Sequence, residues 1–317
     1  MSDPLSFFFF HGKGVIMSKQ TIPMKEFQNQ FTRVLQELTE PDEQILVHEM
    51  LRNNGVRNTG CCIRRTGSDI SSVFCLEECY RAVQEGEEIG SVARRMLTEA
   101  RSSLPAEEFQ PGMLEDYDHI RGRLALKLIG TQHNQQLLKE VPYVKMEDMA
   151  LVCYFFVRQG GEGYGTVLIH NHHIKTWGVS RDRLMQDAWA SMKQLLPARI
   201  RGITEVLGIP PREGIAGEQD AEDMYVISNR QDYLGAVCVL YPGVLKSFAS
   251  SRNCNLYVLP SSIHEMILVP EEPGMDYTAL EDIVRDINQT EVAPEEVLTD
   301  SVYYFDRNKG NLVRAVR

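Results

Sequence analysis

Residues Ala150–Val157 read ALVCYFFV, a continuous apolar run. A strand of this composition shows neither face to water, so it must be central and covered on both sides. That requirement constrains the chain more than any other feature. Around it lie shorter runs. Leu256–Leu259 and Met266–Val269 are separated by Pro260, Ser261 and Ser262, which reads as strand, tight connection, strand. Leu124, Leu126 and Leu128 alternate with Ala125, Lys127 and Ile129, as in a strand. Met224–Ile227 and Gly235–Tyr241 read as two further strands. Val302–Phe305 and Leu312–Val316 flank the polar turn Asp306–Asn311 and predict a terminal hairpin.

Helical spacing is equally plain. Phe27, Phe31, Val34, Leu35 and Leu38 follow Pro23 and stop before Pro41. Leu76, Cys79, Tyr80 and Val83 form one stripe, closed by Gly86. Ile89, Val92, Ala93, Met96, Leu97 and Ala100 form the next, and the two read as an antiparallel pair on one sheet face. Ser180 caps a stripe from Leu184 to Leu196, and Asp276 caps another of Leu280, Ile283, Val284 and Ile287. Residues 44–75 read as a small meander of strands around the turn Asn53-Asn54-Gly55. Helices and strands mix without strict βαβ alternation. The expected class is therefore α+β, a mainly antiparallel sheet with helices packed on it.

The expected organisation is a leader or mis-called start at 1–16, an N-terminal part at 17–145, and a C-terminal part at 146–317. An exposed loop at 208–223 falls within the last, and the two parts could equally form one continuous domain. Phe7–Phe10 is too short for a signal h-region, and Asp3 precedes it rather than Lys or Arg. No apolar run approaches the ~20 residues of a membrane span. The net charge of −11 repels nucleic-acid phosphates, and no basic stripe reverses it. Seven scattered cysteines, an odd number without CxxC, point to reduced thiols and a cytoplasmic protein.

Three groups of residues could carry chemistry. The densest is Ser261, Ser262, His264 and Glu265. A serine nucleophile needs a base in reach and a third group orienting it. Strand alternation puts Ser262 and His264 on one face and Glu265 on the other, so an orienting acid must come from afar, such as Asp232 or Asp300. His264-Glu265 also begins an HExxH, but the closing position is Leu268. The second group is His170, His172 and His173, three imidazoles at a strand end without a nearby Cys, Asp or Glu before Asp182; surface histidines outweigh a metal site. The third is Cys61, Cys62, Cys75 and Cys79, which lack zinc-knuckle spacing. The glycines at 160, 161, 163 and 165 lack the GK[ST] of a phosphate cradle and read as a hairpin loop.

Several stretches carry a resemblance: NNGV (Asn53–Val56), IRR (Ile63–Arg65), KLI (Lys127–Ile129), VPY (Val141–Tyr143), TWGVS (Thr176–Ser180), LYPG (Leu240–Gly243), LPSSIHE (Leu259–Glu265) and VAPEEVLTDSVYYFDR (Val292–Arg307). With these the chain resembles domain-of-unknown-function family 5688, a family of gut anaerobic bacteria, from about Met24 onward. The resemblance implies no activity, cofactor or catalytic residue. The functional expectation is a binding or regulatory module for a peptide, a protein or a small polar ligand. Ser261, Ser262, His264, Tyr241 and Asn229 are the candidate ligand contacts. No catalytic residue, metal or cofactor is assigned, and neither nucleic acid nor membrane is expected as a partner. A serine-type hydrolase using Ser261 or Ser262 with His264 is one alternative. A structural partner protein is the other.

Overall fold

The computed structural model describes residues 22–66, 72–103, 115–158, 164–209 and 223–315. The chain divides into two compact units. The first is built from Met1–Arg52, Arg57–Gly112 and Arg158–Gly163, the second from Asn53–Val56, Met113–Val157 and Tyr164–Arg317. The boundary lies near 112 rather than at 145. The reason is pairing: the strands just before 145 belong to the same sheet as the apolar run that follows. Residues 1–21, the core of the expected loop at 208–223, and the glycines at 160, 161 and 163 lie outside the described residues.

The first unit comprises helix α1 (Met24–Leu38), strands β1 (Glu43–Leu51), β2 (Arg57–Arg65) and β3 (Ser72–Cys75), and helices α2 (Leu76–Gln84) and α3 (Ile89–Ser103). The strands form an antiparallel meander. α1 buries Phe27, Phe31 and Leu35, spaced four apart, and the two phenyl rings stack at 5.0 Å. They pack with Val92, Ala93, Met96, Leu97 and Ala100 of α3 and with Cys61 and Ile63 of β2. The α3 stripe read from the sequence is thus the core face of that helix. Its end is tied down by charge. Arg101 donates to both oxygens of Glu43, at 2.9 Å and 2.7 Å, and Arg65 lies 3.7 Å from the same carboxylate.

The second unit holds two antiparallel sheets. Strands β4 (Leu124–Gly130), β5 (Tyr143–Met146), β6 (Met149–Arg158) and β7 (Tyr164–Leu168) make one, in which β4 pairs one side of β6 while β5 and β7 pair β6 as well. Short helices α4 (Tyr117–Ile120) and α5 (Leu137–Glu140) precede β4 and β5, and α6 (Asn171–Trp177) and α7 (Arg181–Leu195) follow β7. α7 packs on β4, burying Leu184, Met185, Ala188 and Met192. Its N-terminus is capped as expected, the Ser180 hydroxyl accepting from the Arg183 N–H. β6 is buried along 149–156, as the apolar run requires.

The second sheet has the order β13-β12-β10-β11-β9-β8. Its strands are β8 (Ala198–Gly202), β9 (Tyr225–Asn229), β10 (Leu256–Pro260), β11 (Met266–Pro270), β12 (Tyr303–Asp306) and β13 (Asn311–Arg314). Helices α8 (Ile203–Val206), α9 (Val244–Arg252) and α10 (Tyr277–Thr290) complete the unit. α10 starts at Asp276, whose carboxylate accepts from the Thr278 N–H. Gly235–Leu240 departs from expectation: it is a 3-10 helix, not a strand. Gly235 to Val239 are all buried. An unbroken apolar run therefore signals burial here without strand pairing, an ambiguity that periodicity does not resolve.

The two sheets of this unit meet at Asp148, in the two-residue turn between β5 and β6. Its carboxylate accepts the hydroxyls of Thr299 at 2.7 Å, Ser301 at 2.7 Å and Tyr303 at 2.5 Å. Burial pushes this carboxyl up, but the three hydroxyls outweigh burial and hold it below the usual range. A second polar anchor is Asn54, at φ 59°, whose side-chain amide donates to the carbonyls of Pro294 and Val297. Its backbone N–H donates to Asn134 Oδ1 at 2.8 Å.

Two outcomes follow for stability. Asp148→Ala strands three inward-facing hydroxyls and should lower stability by about 2–4 kcal/mol, with Tyr303→Phe costing about 1–2 kcal/mol, both read by urea denaturation. The Arg101 hydrogen bonds hold Glu43 down from 4.5 to about 2. A carboxyl depressed in the folded state adds stability that is fully present above its unfolded value and lost as pH falls. The first unit should therefore lose this contribution between about pH 4.5 and about pH 2. Glu43→Gln should flatten the denaturation midpoint against pH in that window.

Candidate functional site

The tip of the β10–β11 hairpin is the corner where the sequence concentrates hydroxyls, imidazole and carboxylate. Pro260 ends β10 and Met266 begins β11, so Ser261, Ser262, His264 and Glu265 lie in the connection and strand alternation does not govern them. The Ser262 hydroxyl accepts from the backbone N–H of His264 at 3.0 Å. The Ser261 hydroxyl donates to Glu265 Oε1 at 3.3 Å. Neither hydroxyl meets the imidazole. His264 Nδ1 accepts from the Leu234 N–H at 3.0 Å, and Nε2 faces Glu296 at 3.5 Å. The acid beside His264 is thus Glu296, while Asp232 pairs with Arg201 and Asp300 accepts from Asn288. The His264 imidazole draws the Glu296 carboxyl below the usual range, whereas burial pushes Glu265 up.

These bonds have a structural consequence. Leu234 sits at φ 52°, a left-handed conformation that costs a bulky side chain energy unless its surroundings enforce it. The bond from its N–H to His264 supplies that enforcement. Next to it, the Gly235 N–H and the Ser228 hydroxyl both donate to the His264 carbonyl, at 2.9 Å and 2.8 Å. A Cβ on Gly235 would overlap Ser228 Oγ and stand 2.6 Å from Asn229 N and 2.8 Å from His264 O. The other two candidate contacts are also turned inward. Asn229 is 1% exposed, donates to the Tyr233 carbonyl and accepts from the Gln231 N–H. The Tyr241 hydroxyl donates to the Leu196 carbonyl at 2.8 Å. The structure brings Ser261, Ser262, His264 and Asn229 into one corner, and their polar atoms hold that corner together.

The histidines at 170, 172 and 173 lie at the start of α6, just beyond the end of β7. The His170 N–H donates to His173 Nδ1 at 2.9 Å, and the His173 ring stacks on Trp177 at 5.5 Å. Burial, then the neighbouring imidazoles, push His173 down to about 4. Among the described residues no three His, Cys, Asp or Glu side chains are grouped to hold a metal ion. Five of the seven cysteines are buried, and the Cys75 thiol donates to Glu77 Oε2 at 3.1 Å. Burial pushes the thiols of Cys61 and Cys238 up to about 12 and that of Cys79 to about 11, far from the range of a nucleophile. Cys153 is fully buried in β6.

An open cleft of about 520 Å³ lies elsewhere in the second unit. It is lined by Val141, Pro142 and Tyr143–Lys145 of β5, by Leu138 of α5, by Asn171 and Ile174 of α6, and by Arg181. β5 is held in place on one side by β6 and at its end by the Asp148 turn. The Asn171 amide donates to the Lys139 carbonyl, which fixes the start of α6 against α5. Lys145 and Arg181 bring positive charge to this cleft in a chain of net charge −11. Arg181 spends Nε and one terminal nitrogen on a single oxygen of Asp182. None of these residues belonged to the candidate set drawn from the sequence. The available signal was the pair Tyr143–Met146 and Met149 onward around Glu147-Asp148, a hairpin whose turn lacks the usual Asn-Gly or Asp-Gly.

Among the described residues, fold and cleft together define an α+β protein of three antiparallel sheets, with an open, cation-bearing slot at a sheet edge. The chain belongs to a family of unknown function, DUF5688, whose model matches residues 24–307. No curated protein and no solved structure matches it. Among the described residues no helix is long and apolar enough to cross a membrane.

The hairpin corner makes a sharp prediction. His264→Phe keeps a ring but removes the acceptor for the Leu234 N–H, and should cost about 1–3 kcal/mol in urea denaturation. Gly235→Ala should cost about 3 kcal/mol or more, because the colliding atoms belong to backbone and a bonded hydroxyl.

Proposed function

We propose that the second unit is a non-enzymatic binding module of the cytoplasm, and that its cleft beside β5 receives a small polar or peptide ligand bearing negative charge. The observation that carries this reading is the cleft itself: about 520 Å³, apolar along Leu138, Val141, Val144 and Ile174, with Lys145, Arg181 and Asn171 at its polar margin. That combination of volume, apolar wall and few polar groups is typical of ligand sites, which run from roughly 300 to 1,000 Å³. Two cations in a strongly acidic chain select for an anion without making the basic stripe that a nucleic acid needs. The hydrolase alternative finds no support in the geometry, since neither Ser261 nor Ser262 reaches the His264 ring. The free thiols of the chain support the cytoplasmic assignment.

Amide chemical shifts of the nitrogen-15-labelled full chain test the reading during a titration with glutarate, a small dicarboxylate. Saturable shifts at Val144, Lys145 and Asn171, lost in Lys145→Glu, are the expected result. Shifts scattered over the surface and unaffected by Lys145→Glu would defeat the proposal.

A further inference from the structure

The edge of β5 says what kind of ligand the cleft takes. β5 pairs with β6 in the register Tyr143↔Val152, Val144↔Leu151, Lys145↔Ala150 and Met146↔Met149, and it has no other strand neighbour among the described residues. A two-residue turn closes this hairpin, so Met146 and Met149 form a pair that exchanges hydrogen bonds. Antiparallel ladders alternate, so Val144 and Leu151 exchange bonds as well. The N–H and C=O groups of Tyr143 and Lys145 therefore point away from β6. Among the described residues no hydrogen bond to those outward groups is seen.

An unpaired edge is a template for another strand, and proteins usually blunt it with a lysine, a proline or a cover. Pro142 and Lys145 could do no more than that. Two features go further. The edge lies in a cleft that Asn171 and Ile174 also line, where a protective edge would face bulk water. An apolar side chain, Val144, stands 37% exposed within it. The slot thus offers main-chain pairing, an apolar contact and positive charge side by side, which is the set that recognises an extended peptide.

We propose that the outward edge of β5 takes a short acidic peptide in extended conformation as an added strand, paired to Tyr143 and Lys145, with its carboxylates on Lys145 and Arg181. This inference rests on the cleft being the binding site, and it commits that site to one ligand class. Lys145 makes no ion pair among the described residues, and Arg181 keeps one terminal nitrogen beyond its contacts to Asp182. The rest of the acidic surface repels such a peptide, so charge directs it to this edge.

A fluorescein-labelled hexapeptide of alternating Glu and Val is the probe, with the full-length chain and fluorescence anisotropy as the readout. The peptide should bind, Lys145→Glu should weaken it at least tenfold, and Lys309→Glu, remote from β5, should leave it unchanged. N-methylation of alternate peptide amides keeps every charge and removes the ladder donors, and it too should weaken binding at least tenfold. Bound peptide should slow hydrogen exchange at the Tyr143 and Lys145 amides. If the methylated peptide binds as tightly as its parent, or those two amides stay unprotected at saturation, strand addition is overturned. If neither peptide binds, the peptide proposal is overturned as well. In either case the glutarate titration separately decides whether the cleft is a site for small anions.

Discussion

The carboxylate of Asp148, accepting hydroxyls from Thr299, Ser301 and Tyr303, is the constraint on which the second unit depends. It sits in the turn between β5 and β6 and binds residues that lead into and begin β12. One half-buried anion thereby fastens the hairpin of one sheet to an inner strand of the other. Taking a charge even partly out of water is costly, and its three donors offset that cost. The same fastening fixes where β5 ends. The turn sets the register of β5 on β6, and the register decides which main-chain groups face the cleft. The binding surface is thus an indirect product of a hydrogen-bond network on the other side of a two-residue turn.

The β10–β11 tip shows the converse case, in which residues with chemical potential serve architecture. The His264 imidazole accepts from Leu234, its carbonyl accepts from Gly235 and Ser228, and its backbone N–H is taken by Ser262. These bonds brace the hairpin tip internally and tie it to β9 and to the start of the 3-10 helix. A polar motif that looks reactive in one dimension can be the set of groups needed to satisfy a buried bend.

Elements with strong local signals were legible. Helices α1, α3, α7 and α10, the buried β6, and the hairpins β10–β11 and β12–β13 follow from apolar spacing, caps and turn residues. Gly235–Leu240 was not, because burial on all sides looks the same for a 3-10 helix and a strand. Nor was Glu296 as the partner of His264, thirty-two positions away, since chain spacing carries no information on which distant carboxylate a fold delivers. The cleft escaped for the same reason. Its walls come from 138–145 and 171–181, two segments ordinary in themselves, and the short strand β5 is announced by a Glu-Asp turn of little local signal.

The burial of the thiols has one more consequence. Cys61 lies in the core of the first unit, and Cys153 and Cys238 lie in the core of the second. A thiol that is both inaccessible and held in its protonated form does not react with alkylating reagents until the surrounding structure opens. Each unit therefore contains its own internal clock. The rate at which a given cysteine is modified in native conditions reports how often that unit breathes, residue by residue, and distinguishes the opening of one unit from that of the other without any added label.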